Sequence, residues 1–283
     1  MRRLLSVCIL TLFPTAAYAS GHGPLFGGAT PTLGRGGWQL DQAWMGRHCE
    51  RPDVTDEQMF RTMLSVGITE DLQLSVSMPI PLQTPTIFMP NGRMMSMMST
   101  DRVFESIGTW RFHRRPTGSG GRRESALTGG FSIPYQDHFP DGMRSAPAVS
   151  LAAATGYASR AHYFWASAGY QRRMPNQGDK LGDIVYGSLV YGYRPPALRL
   201  EYPKPDLRFF AETTFEHTSM AQHHTLDVLY TGGTGVFVGP TALLLYKAYG
   251  LQGGILFPVY QDTNGFPERF RFAVNFSYFF WIK

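Results

Sequence analysis

Apolar and polar residues alternate with a period of two along most of the chain, in blocks of roughly ten to thirteen residues. A strand sends successive side chains to opposite faces, so each block predicts a strand with one oily face and one polar face. The block at 269–281 is the clearest. Phe270, Phe272, Val274, Phe276, Tyr278 and Phe280 share one face, and Arg269, Arg271, Ala273, Asn275, Ser277, Phe279 and Trp281 share the other. Leu72, Leu74, Val76, Met78 and Ile80 likewise alternate with Gln73, Ser75, Ser77 and Pro79. Leu207, Phe209, Ala211, Thr213 and Phe215 alternate with Arg208, Glu212, Thr214 and Glu216, and Phe210 breaks that pattern. About twelve strands follow, near 36–47, 58–68, 72–81, 102–113, 124–136, 146–157, 161–172, 183–194, 206–216, 234–246, 250–260 and 269–281.

These blocks are longer than the roughly 5–6 residues common in soluble sheets, and match the 9–11 or so that a tilted strand needs to cross a bilayer. An even strand number suits a closed bacterial barrel. Connections alternate between short (69–71, 158–160, 247–249) and long (48–57, 82–101, 137–145, 173–182, 217–233, 261–268), with 195–205 long and 114–123 of middling length where short turns are expected. Short turns on one side and long loops on the other belong to outer-membrane barrels. Trp38, Trp44, Trp110, Trp165, Trp281, Tyr246 and Tyr260 fall near strand ends and are expected in two interfacial girdles. No apolar run is long enough for a membrane helix; the nearest, Val236–Tyr260, is interrupted by Pro240, Lys247, Gln252 and four glycines. The expected fold is all-β, an antiparallel transmembrane β-barrel of about twelve strands, with a soluble β-sandwich as the alternative.

Residues 1–19 read as a cleaved export signal: Arg2 and Arg3, an apolar stretch from Leu4 to Phe13, and a small-x-small site at Ala17-Tyr18-Ala19. The expected organisation is signal peptide 1–19, N-terminal periplasmic segment 20–35 and outer-membrane barrel 36–283. Cys8 leaves with the signal, and Cys49 then has no partner for a disulfide. Hydrophobic residues make up 43% and charged residues 17%, which excludes a disordered chain. The net charge of +5 is spread without a basic run, so no nucleic-acid partner is expected.

Candidate chemistry falls in two groups. Asp41, Arg61, Glu105, Arg111, His113, Arg208, Glu212, Glu216, Arg269 and Arg271 occupy predicted inward faces, where they would pair across strands or line a polar bore. Met89, Met94, Met95, Met97 and Met98 crowd one outer loop, and His217, Met220, His223 and His224 fall in or beside another. Thioether and imidazole ligands suit copper, so a Met/His copper site at the outer rim is one reading; flexible apolar filling of the rim is the other. His22, His48 and Cys49 have no inferable place in such a site. No Gly-x-Ser-x-Gly or His-Glu-x-x-His occurs, and Gly118, Gly120 and Gly121 precede a strand rather than a helix, so no enzyme and no resident cofactor are expected.

The export signal, the His22-Gly23-Pro24 start, the strand run and the ending Phe272-Ala-Val-Asn-Phe-Ser-Tyr-Phe-Phe-Trp281 resemble bacterial outer-membrane transporter barrels grouped with the phenol-degradation "MetA-pathway" family. The resemblance implies an outer-membrane barrel in contact with lipid and carries no substrate. The last strand also resembles the signal read by the barrel-assembly machinery, with Ile282 and Lys283 following Trp281 in place of a terminal Phe. The expected function is a passive channel or transporter for small solutes, hydrophobic or aromatic ones included. The alternatives are surface copper binding and a structural barrel with a packed lumen.

Overall fold

The computed structural model describes residues 23–50, 54–83, 86–88, 94–96, 103–118, 120–136, 144–198, 203–224, 226–229, 231–264 and 267–282, so the export signal and His22 lie outside the described residues. Twelve long strands run in chain order: β1 Gly37–Cys49, β2 Glu57–Gly67, β3 Leu72–Gln83, β4 Val103–Pro116, β5 Arg122–Pro134, β6 Ala148–Ala158, β7 His162–Arg173, β8 Ile184–Tyr193, β9 Asp206–Thr218, β10 Gly233–Tyr246, β11 Tyr249–Thr263 and β12 Glu268–Trp281. Each pairs antiparallel with its chain neighbours, and β1 pairs with β12 from Gly37 opposite Trp281 to Cys49 opposite Glu268, which closes the sheet. Closure satisfies the backbone hydrogen bonds of every strand and leaves no open edge, the condition for a sheet to sit in lipid. No helix among the described residues is long and apolar enough to cross a membrane.

The wall is inverted relative to a soluble protein. Leu74, Val76, Met78, Ile80, Phe131, Leu151, Phe164, Leu189, Phe257 and Phe276 are all exposed on the outside. Ser75, Ser77, Asp41, Glu124, Glu212, Asn275 and Ser277 are buried within. A β-sandwich would bury the first set against a second sheet. An apolar surface of this extent finds its partner in hydrocarbon.

Strand ends follow the expected blocks with two departures, the first being that the connection expected to be long at 261–268 is only 264–267. The turn between β4 and β5 occupies only 117–121, so the middling connection expected at 114–123 is a short one. The strand gains this length through a register shift: Trp110 lies opposite Leu127, but His113 lies opposite Ser125. That extra residue reverses the in–out parity beyond it. With the turns 68–71, 159–161 and 247–248, the 117–121 turn defines a short-turn end, where β1 also begins and β12 ends. Of the aromatics expected in girdles, Trp44, Trp110, Tyr246 and Tyr260 are exposed outside, and Trp38 stacks on Phe280 on that face. Trp165 and Trp281 instead turn inward: Trp165 is 2% exposed, and Trp281 lies against Gly37.

Residues 23–35, set apart by sequence as a periplasmic segment, run inside the barrel. Gly36 N–H donates to Gly67 O at 2.8 Å and holds the segment at the mouth of the short-turn end. From there the chain doubles back into the lumen, where Thr30 and Thr32 are fully shielded from solvent.

Candidate functional site: a lumen lined by charge and threaded by the N-terminal segment

The inward face of the wall supplies hydrogen-bonding groups at successive heights, and residues 23–35 use them. Leu33 N–H donates to Gln73 Oε1 (2.9 Å) and Thr32 Oγ1 to Glu70 O (2.9 Å). Thr30 Oγ1 donates to Glu124 Oε2 (3.2 Å) and accepts from Trp165 Nε1 (3.2 Å). Gly28 N–H donates to Ser188 Oγ (3.0 Å), and Gly23 O accepts from Gln252 Nε2 (2.9 Å). These partners sit on β3, β5, β7, β8 and β11 and in the β2–β3 turn, so the segment sweeps round most of the inner circumference.

Glu212 is the anchor. Its side chain is wholly buried, and its carboxylate accepts Leu25 N–H, Phe26 N–H and Gly27 N–H, each at 2.8 Å, with Thr241 Oγ1 donating at 2.6 Å. Successive N–H groups converging on one anion form a backbone nest, and bonds to a charged acceptor are the strong kind. Glycine makes the approach possible: a Cβ on Gly27 would stand 2.6 Å from Val190 Cγ2, and one on Gly28 would stand 2.7 Å from Ser167 Oγ.

Beside this segment the lumen wall carries an apolar patch. Tyr163, Trp165, Val190, Phe210 and Leu243 form one buried cluster, with Ala29 of the threaded segment packed on it. Phe210, the residue that broke the alternation in β9, is thus an inner-wall aromatic. The Arg208 guanidinium lies 5.3 Å from the Tyr163 ring centre and is held by Asp206 at 2.9 Å.

Charged residues form two further groups. Near the short-turn end Arg111, almost fully buried, donates to Asp71 Oδ1 (2.9 Å), Glu124 Oε1 (3.1 Å) and Glu70 O (2.7 Å). Arg122 Nε also lies 3.1 Å from Glu124 Oε1, off the hydrogen-bonding angle, and is an ion pair only. Toward the long-loop end Arg271 bonds Glu268 (2.6 and 2.9 Å) and Glu216 (3.0 Å) and lies 3.9 Å over the Phe237 ring, and Arg47 bridges Glu57 and Glu268.

Of the expected lumen residues, Asp41, Arg61, Glu105, Arg111, Arg208, Glu212, Glu216 and Arg271 lie on the inner face. Asp41 is bound by Gln39, Asn275 and Ser277, Glu105 accepts from Ser77 Oγ at 2.8 Å, and Arg61 stands opposite the inward Ala43. His113 does not belong there. The β4 register shift pairs it with the outward Ser125 and brings Arg114 opposite the inward Glu124. Arg269 lies at a second register shift, where Cys49 pairs with Glu268, and is exposed at the rim.

Among the described residues, the expected histidines do not assemble as one set. Met89, Met97 and Met98 lie outside the described residues, and Met94 and Met95 are on a two-stranded ribbon, Thr86–Phe88 against Met94–Ser96. His217 is on the outer face of β9, bonded to Thr234 Oγ1 at 2.8 Å. His48 pairs with Asp56 at 2.7 Å. His223 and His224 come together instead with Asp179 of the 174–183 loop, a residue the sequence reading passed over.

No family model matches the chain, and no curated protein matches it. Among solved structures, the COG4313 outer membrane channel from Pseudomonas putida F1 is similar over 91% of this chain and 100% of its own, with a TM-score of 0.62 at 13% identity. The KdgM porin is similar over 85% of this chain and 98% of its own (TM-score 0.44, 8% identity). The β domain of the Bordetella autotransporter Brka is similar over 87% and 100% (TM-score 0.46, 11% identity). The likeness to the first is one of fold, and the fold is an outer-membrane β-barrel.

Proposed function

We propose that the chain is a passive outer-membrane channel for small solutes, of the kind grouped with the phenol-degradation barrels, and that residues 23–35 set the width of its bore. The observation that carries this reading is the pairing of an oily exterior with an interior built from carboxylates, guanidinium groups, hydroxyls and one aromatic patch. A barrel serving only as an anchor has no need of lining charges at several heights, whereas lining charge and bore width select solutes. The inner aromatics Tyr163, Trp165 and Phe210 are buried against Ala29, so they seat the threaded segment, and the polar and charged groups of the inner face are what a solute would meet. The fold shared with the Pseudomonas putida channel supports the same reading. In this proposal the last strand, Glu268–Trp281, also serves as the segment read by the barrel-assembly machinery.

Liposome swelling and planar-bilayer conductance with the purified barrel test the proposal. A conducting barrel that passes small solutes is the expected result. Absence of conductance from correctly folded protein overturns it and favours the packed structural barrel.

A further inference from the structure

At the long-loop end, two connections meet in a small three-stranded sheet: Asp179–Lys180, Gln222–His223 and Leu226–Asp227, with Asp179 opposite His223. Consecutive residues of a continued strand would point their side chains to opposite faces. His224 does not continue the strand. Its φ of +47° places it in the left-handed region, uncommon for a residue with a side chain, and that turn brings its ring to 4.4 Å from the His223 ring, centre to centre. Gly178 faces it with a φ of +94°; a Cβ there would stand 2.7 Å from His224 Nδ1, and Gly178 O accepts His224 N–H at 3.0 Å. Asp179, beside the rings, is only 3% exposed. One of its oxygens lies 2.6 Å from His223 Nδ1, and the other accepts Arg144 N–H at 2.9 Å. Burial opposes the charge on Asp179, but these bonds and the nearby imidazoles outweigh it and hold the carboxyl below its usual range.

We propose that Asp179, His223 and His224 bind a divalent transition-metal cation of the zinc class. Their three ligand atoms already lie within 4.8 Å of one another. A tetrahedral zinc ion with bonds of about 2.0–2.1 Å holds its ligands roughly 3.3 Å apart, so the rings need only small rotations. Both histidines are exposed and can make them. Two imidazole nitrogens and one carboxylate oxygen are donors of intermediate softness. They suit Zn2+, Ni2+ or Cu2+, whereas Ca2+ and Mg2+ call for all-oxygen cages and Cu(I) for thioethers. The fourth position faces water. A bound cation would tie the 174–183 loop to the 219–232 loop and, through Arg144 on the far carboxylate oxygen, to the 135–147 loop. The proposed ligand set uses no residue of the threaded segment.

The test is Zn2+ titration of the full folded barrel in detergent by calorimetry, with folding checked for each variant by its heat-dependent gel shift. One Zn2+ per chain is expected. His223→Ala, His224→Ala and Asp179→Asn should each weaken binding by more than the roughly 10–100-fold cost of losing a supporting residue. Gly178→Ala removes no ligand but crowds His224, and should weaken binding too, while His217→Ala and Met220→Leu should leave it unchanged. X-ray absorption of the Zn2+-loaded barrel should show only nitrogen and oxygen near 2.0–2.1 Å and no sulfur near about 2.3 Å. No saturable Zn2+ uptake, affinity unmoved by the ligand variants, or a sulfur shell would each overturn the proposal.

Discussion

Glu212, on the inner wall of β9, and Phe26, from the start of the described chain, are joined at 2.8 Å by a bond from the Phe26 backbone N–H to the Glu212 carboxylate. With Leu25 and Gly27 donating to the same carboxylate, one side chain fixes the far end of the threaded segment. Charge-assisted bonds of this kind contribute about 1.5–3 kcal/mol each. Glu212→Ala should therefore free residues 23–29 while leaving the hydrogen-bonded wall closed. The expected outcome is a larger unitary conductance in planar bilayers, with a cysteine placed at Leu25 in a Cys49→Ser background becoming reactive to a soluble maleimide. An unchanged conductance with an unreactive cysteine would mean that the other contacts suffice to hold the segment.

Gly27 lets the segment lie flat on the wall, and Gly34 imposes no such demand. A Cβ on Gly27 meets Val190 at 2.6 Å, whereas one on Gly34 meets nothing within 4 Å. Overpacking costs typically about 1–3 kcal/mol, less than the three bonds to Glu212 together, so it loosens the seat without releasing the segment. Gly27→Ala should raise conductance by less than Glu212→Ala does, and Gly34→Ala should match the parent protein. Paired bilayer recordings of the two variants decide it.

Glu124 is 1% exposed and faces the guanidinium groups of Arg111 and Arg122 as well as Thr30. Removing one partner of a buried pair costs about 3–5 kcal/mol because the remaining charge is left uncompensated. Asp71 still holds Arg111, so Glu124→Gln should fall at the low end, about 3 kcal/mol. The measurement is the temperature at which the folded gel band disappears, which should drop for this variant.

The wall was legible because lipid and lumen impose opposite polarities on alternate residues. Leu74, Val76 and Met78 against Ser75 and Ser77 encode a face, a register and a length at once. The threaded segment was not legible for the converse reason. Residues 23–35 are glycine-rich, with Arg35 their one charge and no periodicity, and their main partner Glu212 lies 187 positions from Leu25. His113 was assigned to the wrong face because a register shift adds a residue that the local pattern does not mark, and every parity beyond it reverses. Asp179 stands 44 positions from His223, so nothing in the spacing joined the carboxylate to the imidazoles. Trp165 looked like an interfacial anchor, but the Thr30 hydroxyl gives its Nε1–H an inward partner.

The outer-loop sheet should be insensitive to pH until well into the acid range. Asp179 and Asp183 both have their carboxyls held below the usual range. At each, burial works against the charge; Arg144 N–H and the His223 ring overcome it at Asp179, and Arg173 N–H, Lys180 and the Tyr170 hydroxyl overcome it at Asp183. A group whose folded pKa is depressed binds protons more readily when unfolded, so its stabilisation is complete above the unfolded value of about 3.9 and disappears as pH falls through the lower folded value. The loops 174–183 and 219–232 should therefore keep the same resistance to exchange from pH 7 to about 4.5 and lose it only as the pH falls below the unfolded value of about 3.9. Hydrogen exchange at fixed intrinsic rate, read by mass spectrometry on peptides from these loops, measures it. Asp179→Asn should lower protection at neutral pH and flatten the acid-range change. A loss of protection already complete at pH 5 in the parent protein would show that these two carboxylates do not hold the sheet.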